Sequence, residues 1–329
     1  MRQEQIRRIV SIGLLALLIV ILSLTSDTFL TTKNILTLLR ESSTMGIVAI
    51  GVTFVIITAG IDLSTGALIG CVSMICANLM YNKGFSGTSI IFISIILGTF
   101  GGFINGMFVS RLHLPDFIAT LSSQFIFRGL ALVFAIKTST GMISNKVIDD
   151  RTIMLLGGNI NGVYISIIAF FVLVLIGQFI LKRTKFGLYT YSIGSNNKSS
   201  QLSGINSANI KLGVYTLTGF LCGIAALFLM GKMKSVTPDT GLGLEFDIIA
   251  AVVVGGCAFN GGRGDVFGTM IGVIFMSALT NGIYKYNFPT AIQLMLTGSV
   301  IVAMVIFDSV YNSYMTKKMT QKKNNEVVA

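Results

Sequence analysis

The sequence predicts an all-α, polytopic transmembrane helical bundle of about ten spans, and three observations carry that prediction. Hydrophobic residues make up 53% of the 329 residues and charged residues 11%, with a mean hydropathy of +0.82; ordinary soluble domains carry roughly 25% charge. The apolar residues gather into runs close to the about 17–25 needed to cross a bilayer. The polar residues fall in short intervals between those runs. A soluble chain of this length could not hide so much apolar surface. In lipid every backbone polar group must be satisfied within the spanning segment, which leaves helices, because the alternation of barrel strands is missing from these runs.

Taken in order, the runs are Ile9–Leu24, Met45–Ala59, Thr65–Met80, Ser89–Val109, Phe117–Ile136, Val163–Leu181, Ile210–Met230, Ile248–Phe259, Val266–Tyr284 and Ala291–Phe307. The first has a basic start like a signal peptide. No small-residue cleavage site follows Leu24, so it reads as an uncleaved span. Placing both termini in the cytoplasm puts Arg2, Arg7, Arg8, Arg111, Arg263, the cluster from Lys182 to Lys211 and the basic tail 309–329 on the inner side, which the positive-inside rule favours. The chain is then one transmembrane domain, 1–329, with a cytoplasmic segment at 182–211.

The net charge of +11 does not point to nucleic acid. The basic residues sit beside spans, where topology and contact with anionic lipid account for them. Cys71, Cys76, Cys222 and Cys257 lie inside apolar runs without metal-site or paired-loop spacing and read as packing residues. His113 has neither a nucleophile nor a cluster of acids beside it and reads as a loop residue. No Walker loop, metal-ligand cluster or nucleophile elbow is present, so no catalytic residue, cofactor or metal is expected. A channel, a carrier, or the membrane part of a pump powered by another chain remains.

Two spans are short and end on polar, glycine-rich breaks, Gly60-Ile61-Asp62-Leu63-Ser64 and Asn260-Gly261-Gly262-Arg263-Gly264-Asp265. Non-helical backbone at membrane depth is tolerated where it is buried in protein or lines an aqueous path, so both breaks are candidate bending points. Asp62 is a functional candidate as an intramembrane acid; the plainer expectation is that Asp62 or Ser64 caps the helix beginning near Thr65. Gly66 and Gly70 share a small-residue spacing with Gly268 and Gly272, a packing signal. Arg128 lies well inside its span, about 18 Å of helix from Asp116, and needs a carbonyl or an acid from another span. Asn105 and Asn281 stand beside glycines within spans, where interhelical hydrogen bonding is the commoner use and a hydroxylated ligand the sharper one. The mixed-charge interval Lys137 to Gly162 is the longest assigned outside.

Three stretches together resemble one family: Gly60-Ile-Asp-Leu-Ser-Thr-Gly66; Leu114-Pro-Asp-Phe-Ile-Ala-Thr-Leu121 with Arg128-Gly-Leu-Ala131; and Gly187 through Leu202-Ser-Gly-Ile205 to Ala250–Gly256 and Gly261–Gly264. They are similar to the permease subunits of binding-protein-dependent ABC importers of the ribose, xylose and simple-sugar class. The resemblance runs from the second span to the tenth. It implies inward movement of a neutral, ribose-like monosaccharide by alternating access in the bacterial cytoplasmic membrane. The implied partners are an ABC ATPase subunit, an extracytoplasmic sugar-binding protein and a second permease copy or paralogue. It also implies that Gly187, Gly194, Asn196, Leu202, Ser203, Gly204 and Ile205 form the ATPase-coupling segment. The breaks and the intramembrane polar residues, Gly60, Asp62, Ser64, Asn105, Arg128, Asn260 and Asn281, are the candidates along the path. The sequence departs from the family at Asn197-Lys198-Ser199-Ser200-Gln201, where Glu-Ala-Ala-Arg-like residues are common, and at Asp116, where a proline or apolar residue is usual. Permeases for branched-chain amino acids or nucleosides are the near alternative. An ion-coupled secondary transporter is the distant one and would depend on Asp62.

Overall fold

The computed structural model describes residues 2–135, 145–146, 150–286, 289, 291–292, 295–296, 298–299, 302 and 306. The chain divides into two units, Met1–Leu279 and Thr280–Ala329. Among the described residues seven helices are long and apolar enough to cross a membrane: α2 (Thr32–Ile57), α3 (Thr65–Lys83), α4 (Gly87–Ser110), α5 (Asp116–Val133), α7 (Ile165–Arg183), α10 (Ser207–Met233) and α12 (Val266–Lys285). Before them α1 runs over Arg2–Thr25.

The first unit is built around α2, whose residues are buried on every side from Ser42 to Ile57. Helices α7, α10 and α11 (Leu244–Val254) pack on it. Its start differs from the hydropathy boundary at Met45, because Lys33, Arg40 and Glu41 interrupt the apolar run without interrupting the helix. Thr31 caps it by accepting from the Asn34 amide. Arg40 donates to the Gly157 carbonyl at 2.7 Å and lies over the Tyr164 ring, and Glu41 pairs with Lys232. The α4–α10 pair approaches backbone to backbone along Gly98, Gly102 and Gly106 on one helix and Gly219 and Gly223 on the other, the close contact that small residues four apart permit. Helix α1 packs through Leu18, Ile19 and Leu22 against Phe29, Leu38, Ile274 and Ala278.

The largest departure from expectation is at Ile248–Phe259. There α11 is 11 residues long, about 16 Å, half of a roughly 30 Å hydrocarbon core. Gly255 and Gly256 end it, Gly256 with φ 95°. In front of it, Lys234–Gly243 is non-helical: β4 (Ser235–Val236) is followed by turns over 238–243, with Gly241 and Gly243 at φ 76° and 80°. Residues read as an outside loop and a full span are thus a two-residue strand and a run of turns followed by a half-helix.

Small strands also form. β1 (Asn145–Lys146) pairs antiparallel with β4, and β2 (Asn159–Ile160) with β3 (Val163–Tyr164). Helix α6 (Arg151–Gly157) stands between β1 and β2, capped by Asp150, which accepts from Thr152 and Ile153 amides and from the Gly87 amide that begins α4. The remainder of the Lys137–Gly162 interval, at 137–144 and 147–149, lies outside the described residues. The interval 182–211 holds two short helices, α8 (Lys185–Ser195) and α9 (Asn197–Leu202). All four cysteines are free and buried. In the second unit α12 ends at Lys285, and every described position between Ala291 and Ile306 is helical. The tail 309–329 lies outside the described residues.

Candidate functional site

Two neighbourhoods of the first unit gather the residues singled out in the sequence. The first lies where α8 meets the ends of α2 and α12. Thr184 ends α7 and begins α8 at once: its hydroxyl donates to the Ile180 carbonyl at 2.7 Å and accepts from the Gly187 amide at 3.3 Å. A Cβ at Gly187 would meet the Ile180 and Leu181 carbonyls, so glycine is what allows this reversal. At the far end of α8, a Cβ at Gly194 would meet the Ile57 carbonyl and lie 2.5 Å from the Gly262 nitrogen. The Gly262 amide donates to that same Ile57 carbonyl at 2.8 Å. A Cβ at Gly261 would lie 2.8 Å from Ala59. The end of α2, just before the first break, is therefore in contact with the second break, and α8 is seated on the point where they meet. Tyr191 adds a hydrogen bond to the Gly264 carbonyl at 2.5 Å, with Lys182 over its ring.

Helix α9 forms across the five residues that depart from the family pattern. Asn196 caps it by accepting from the Ser199 amide at 3.0 Å, and Ser200 and Ser203 bond back to the Asn196 and Ser199 carbonyls. Gly204, at φ 82°, closes it, and the Ile205 amide returns to the Ser200 carbonyl. Local side-chain bonds of this kind replace what helix propensity does not supply. The helix presents Leu202 with 85% of its surface exposed, beside exposed Ser203 and Gly204.

The first break is held from several sides. Asp62 Oδ1 accepts from the Ser64 amide at 2.9 Å and hydroxyl at 2.7 Å, and Asn105 donates to that hydroxyl at 2.6 Å. Ser64 does not cap α3: it occupies the cap position with helical φ/ψ (−86°, −14°) and makes no side-chain cap bond, whereas a capping residue usually stands in the extended region; Asp62 instead accepts from the amide of Ser64 at the start of the helix. The Tyr215 hydroxyl donates to the Ile61 carbonyl at 3.1 Å. Gly60 gives room to Asp116, whose Oδ2 would lie 2.7 Å from a Cβ there. Asp116 makes no cap bond either; it begins α5 after Pro115 and pairs with Lys211 at 3.6 Å.

The second neighbourhood is deeper. Arg128 Nη1 donates to the Pro238 and Thr240 carbonyls, both at 2.7 Å. Gln124, one turn earlier on α5, donates to Glu245 Oε1 at 2.8 Å. Glu245 is 1% exposed in the first turn of α11. Gly66 and Gly70 of α3 make room for this entry: a Cβ at Gly66 would meet Glu245 Oε2 and the Gly241 carbonyl, and one at Gly70 the Thr240 carbonyl and Arg128. Sequence reasoning missed Gln124, and it missed Glu245 because it fell in an interval read as an outside loop. Asp62 is therefore not the one buried acid. The signal that could have found Glu245 was the glycine spacing of Gly66 and Gly70 together with an unpartnered Arg128.

Of the path candidates, Gly60, Asp62, Ser64 and Asn105 share the first break, and Arg128 stands in the deeper group. Asn260 is exposed in the turn leading to Gly261, on the α8 side. Asn281 is half-buried on α12 in the second unit.

A bundle of apolar helices with a half-helix entered through a run of turns, the buried Glu245 and half-buried Arg128 beside it, and two consecutive short helices between spans is the build of a membrane transport permease. Residues 34–305 match the family described as branched-chain amino acid transport system / permease component, and the chain belongs to that family. It is 36% identical to the ribose import permease protein RbsC of Bacillus subtilis (strain 168) over 89% of this chain and 90% of that one. It is 34% identical to RbsC of Haemophilus influenzae, covering 93% of each. It is 30% identical to the xylose transport system permease protein XylH of the same organism, over 87% of this chain and 91% of that one. No solved structure matches the chain.

Proposed function

We propose that this chain is the membrane-spanning permease subunit of an ATP-driven ABC importer that moves a neutral monosaccharide, ribose or a close relative, into the cell by alternating access. The observation that carries the proposal is similarity over about nine-tenths of the chain to proteins named as ribose and xylose permeases. The family description mentions branched-chain amino acids, yet the relatives cited above are named as ribose and xylose permeases. The chain works with a separate ATPase subunit, an extracytoplasmic sugar-binding protein and a second permease copy or paralogue, in a bacterial cytoplasmic membrane. It crosses about ten times with both termini inside.

The exposed α8–α9 hairpin is the ATPase contact in this proposal. Gly187 and Gly194 set α8 against the end of α2 and the second break, Asn196 caps α9, and Leu202–Ile205 offer the exposed tip. A ligand shifts an equilibrium between two states only by its differential affinity for them, so the ATPase acts on the bundle by preferring one position of α8. The deciding experiment is reconstitution of the permease with its ATPase and loaded binding protein in proteoliposomes. Ribose uptake that requires ATP is expected; uptake that persists without ATP and follows an imposed ion gradient overturns the proposal. Gly194→Pro combined with Lys198→Glu is expected to abolish ATPase association and uptake, and retention of both refutes the assignment of the hairpin.

A further inference from the structure

We propose that Gln124, Arg128 and Glu245 form a hydrogen-bonding station for the carried molecule, a neutral polyol whose adjacent hydroxyls bridge the guanidinium and the carboxylate; the identity of the ligand rests on the sugar-importer proposal above. Gln124 is bonded to Glu245, and Arg128 to the Pro238 and Thr240 carbonyls in the entry of α11, but their bonding capacity is not used up. Glu245 is 1% exposed, and its Oε2 has no hydrogen-bond partner. The same holds for Gln124 Oε1 and for Arg128 Nε and Nη2. Buried polar atoms without partners are uncommon, and each one calls for an explanation such as an unseen ligand or water.

The unused set has a composition that selects a ligand class. It offers donors on Arg128 and acceptors on Gln124 and Glu245, side by side. A hydroxyl is donor and acceptor at once, so two neighbouring hydroxyls of a sugar can satisfy both kinds. The charges of Arg128 and Glu245 oppose each other, so a net anion or cation gains from one and is repelled by the other. An apolar ligand would leave the set as unsatisfied as before, which in a buried site is the costly outcome.

Position agrees with passage. Gln124 lies about 12 Å and Arg128 about 18 Å along α5 from Asp116, near the middle of a roughly 30 Å core. Both side chains are half-buried, next to exposed Ser122, Phe125 and Gly129 on α5 and exposed Leu242 and Phe246 around the start of α11. The station thus has exposed neighbours on both elements that carry it. The existing bonds from Arg128 to two carbonyls and from Gln124 to Glu245 hold these groups in place before a ligand arrives, so little ordering is left to occur on contact.

The test measures labelled ribose moved and ATP hydrolysed in the same proteoliposomes, with the permease, its ATPase and ribose-loaded binding protein. Glu245→Gln and Gln124→Ala are each expected to lower the ribose moved per ATP about tenfold, the scale of one lost hydrogen bond, while Ser122→Ala leaves that ratio at the wild-type value. If uptake and hydrolysis fall together at a constant ratio, the residues are structural and the station is wrong. An unchanged ratio at unchanged rates overturns it as well. Should Glu245→Gln fail to assemble, Gln124→Ala decides, since Gln124 is half-buried and gives up one outgoing bond. A wild-type complex that moves leucine and no monosaccharide overturns the sugar proposal itself and the ligand class with it, a result read on unmutated protein and therefore distinct from the others.

Discussion

Helix α11 is gripped at both ends by a pair of glycines four residues apart on a neighbouring helix, and the two grips hold opposite things. At its start, Gly66 and Gly70 of α3 admit the Glu245 carboxylate, the Thr240 and Gly241 carbonyls and the Arg128 guanidinium. At its end, Gly268 and Gly272 of α12 admit the Gly255 and Ala251 carbonyls, among buried Val252, Val253, Val254 and Cys257. Asp265 secures this second grip by accepting from the Gly268 amide at 2.6 Å, and Thr53 and Thr269 share a hydrogen bond beside it. The same spacing sets how closely backbones approach. What approaches decides whether the contact is a dry clamp or a polar site with capacity to spare.

If the second grip is a clamp, it is the less forgiving of the two. Gly272→Val should have the largest effect, because its Cβ overlaps the backbone of α11, which cannot rotate away as a side chain can. Overpacking typically costs about 1–3 kcal/mol and more where nothing yields, so little folded permease should survive extraction, as size-exclusion chromatography would show. Wild-type yield would break the comparison. Arg128→Ala comes next: it strips the Pro238 and Thr240 carbonyls of their partner, and about 1–3 kcal/mol of stability should be lost. Arg128→Lys should restore part of it in a thermal-unfolding assay.

A smaller effect is expected outside both grips. Asp116→Asn removes the pairing with Lys211, and partly exposed pairs contribute about 1 kcal/mol or less. The melting temperature should therefore move less than in Arg128→Ala. The smallest effect provides a baseline. Asp150, at the opposite end of α4 from Arg111, accepts from the Gly87 amide first of all and then from Thr152 and Ile153, which holds its carboxyl below the ordinary aspartate range. Its contribution is present above the unfolded value of about pH 4 and is lost as pH falls through the lower folded value. Protease cleavage within 150–164 should rise on acidification below about pH 4, and Asp150→Asn should remove that dependence.

Much of the bundle was legible because apolar runs report lipid-length helices directly. Arg40 and Glu41 hid the start of α2, since hydropathy cannot show that Gly157, Tyr164 and Lys232 await them in other segments. The half-helix α11 was hidden for the opposite reason: its own residues are apolar enough for a span, and its shortness comes from Gly255 and Gly256 closing it and from the run of turns in front. Gly98, Gly102 and Gly106 carried a readable spacing that names the helix face but not the partner. Glu245 was the hardest, because a carboxylate next to a predicted loop looks solvated until Gly66, Gln124 and Arg128 are brought to it from distant positions.

The seat of Gly194 has a mechanical side. Side chains ordinarily give contacts some compliance, since rotamers hop on fast timescales and absorb small displacements. Here the contact is main chain on main chain, with the Ile57 carbonyl and the Gly262 amide as its other faces. A push on α8 would therefore reach the end of α2 and the turn between α11 and α12 at the same moment and without slack. The three would shift as one stiff lever, with response set by helix displacement and not by side-chain repacking.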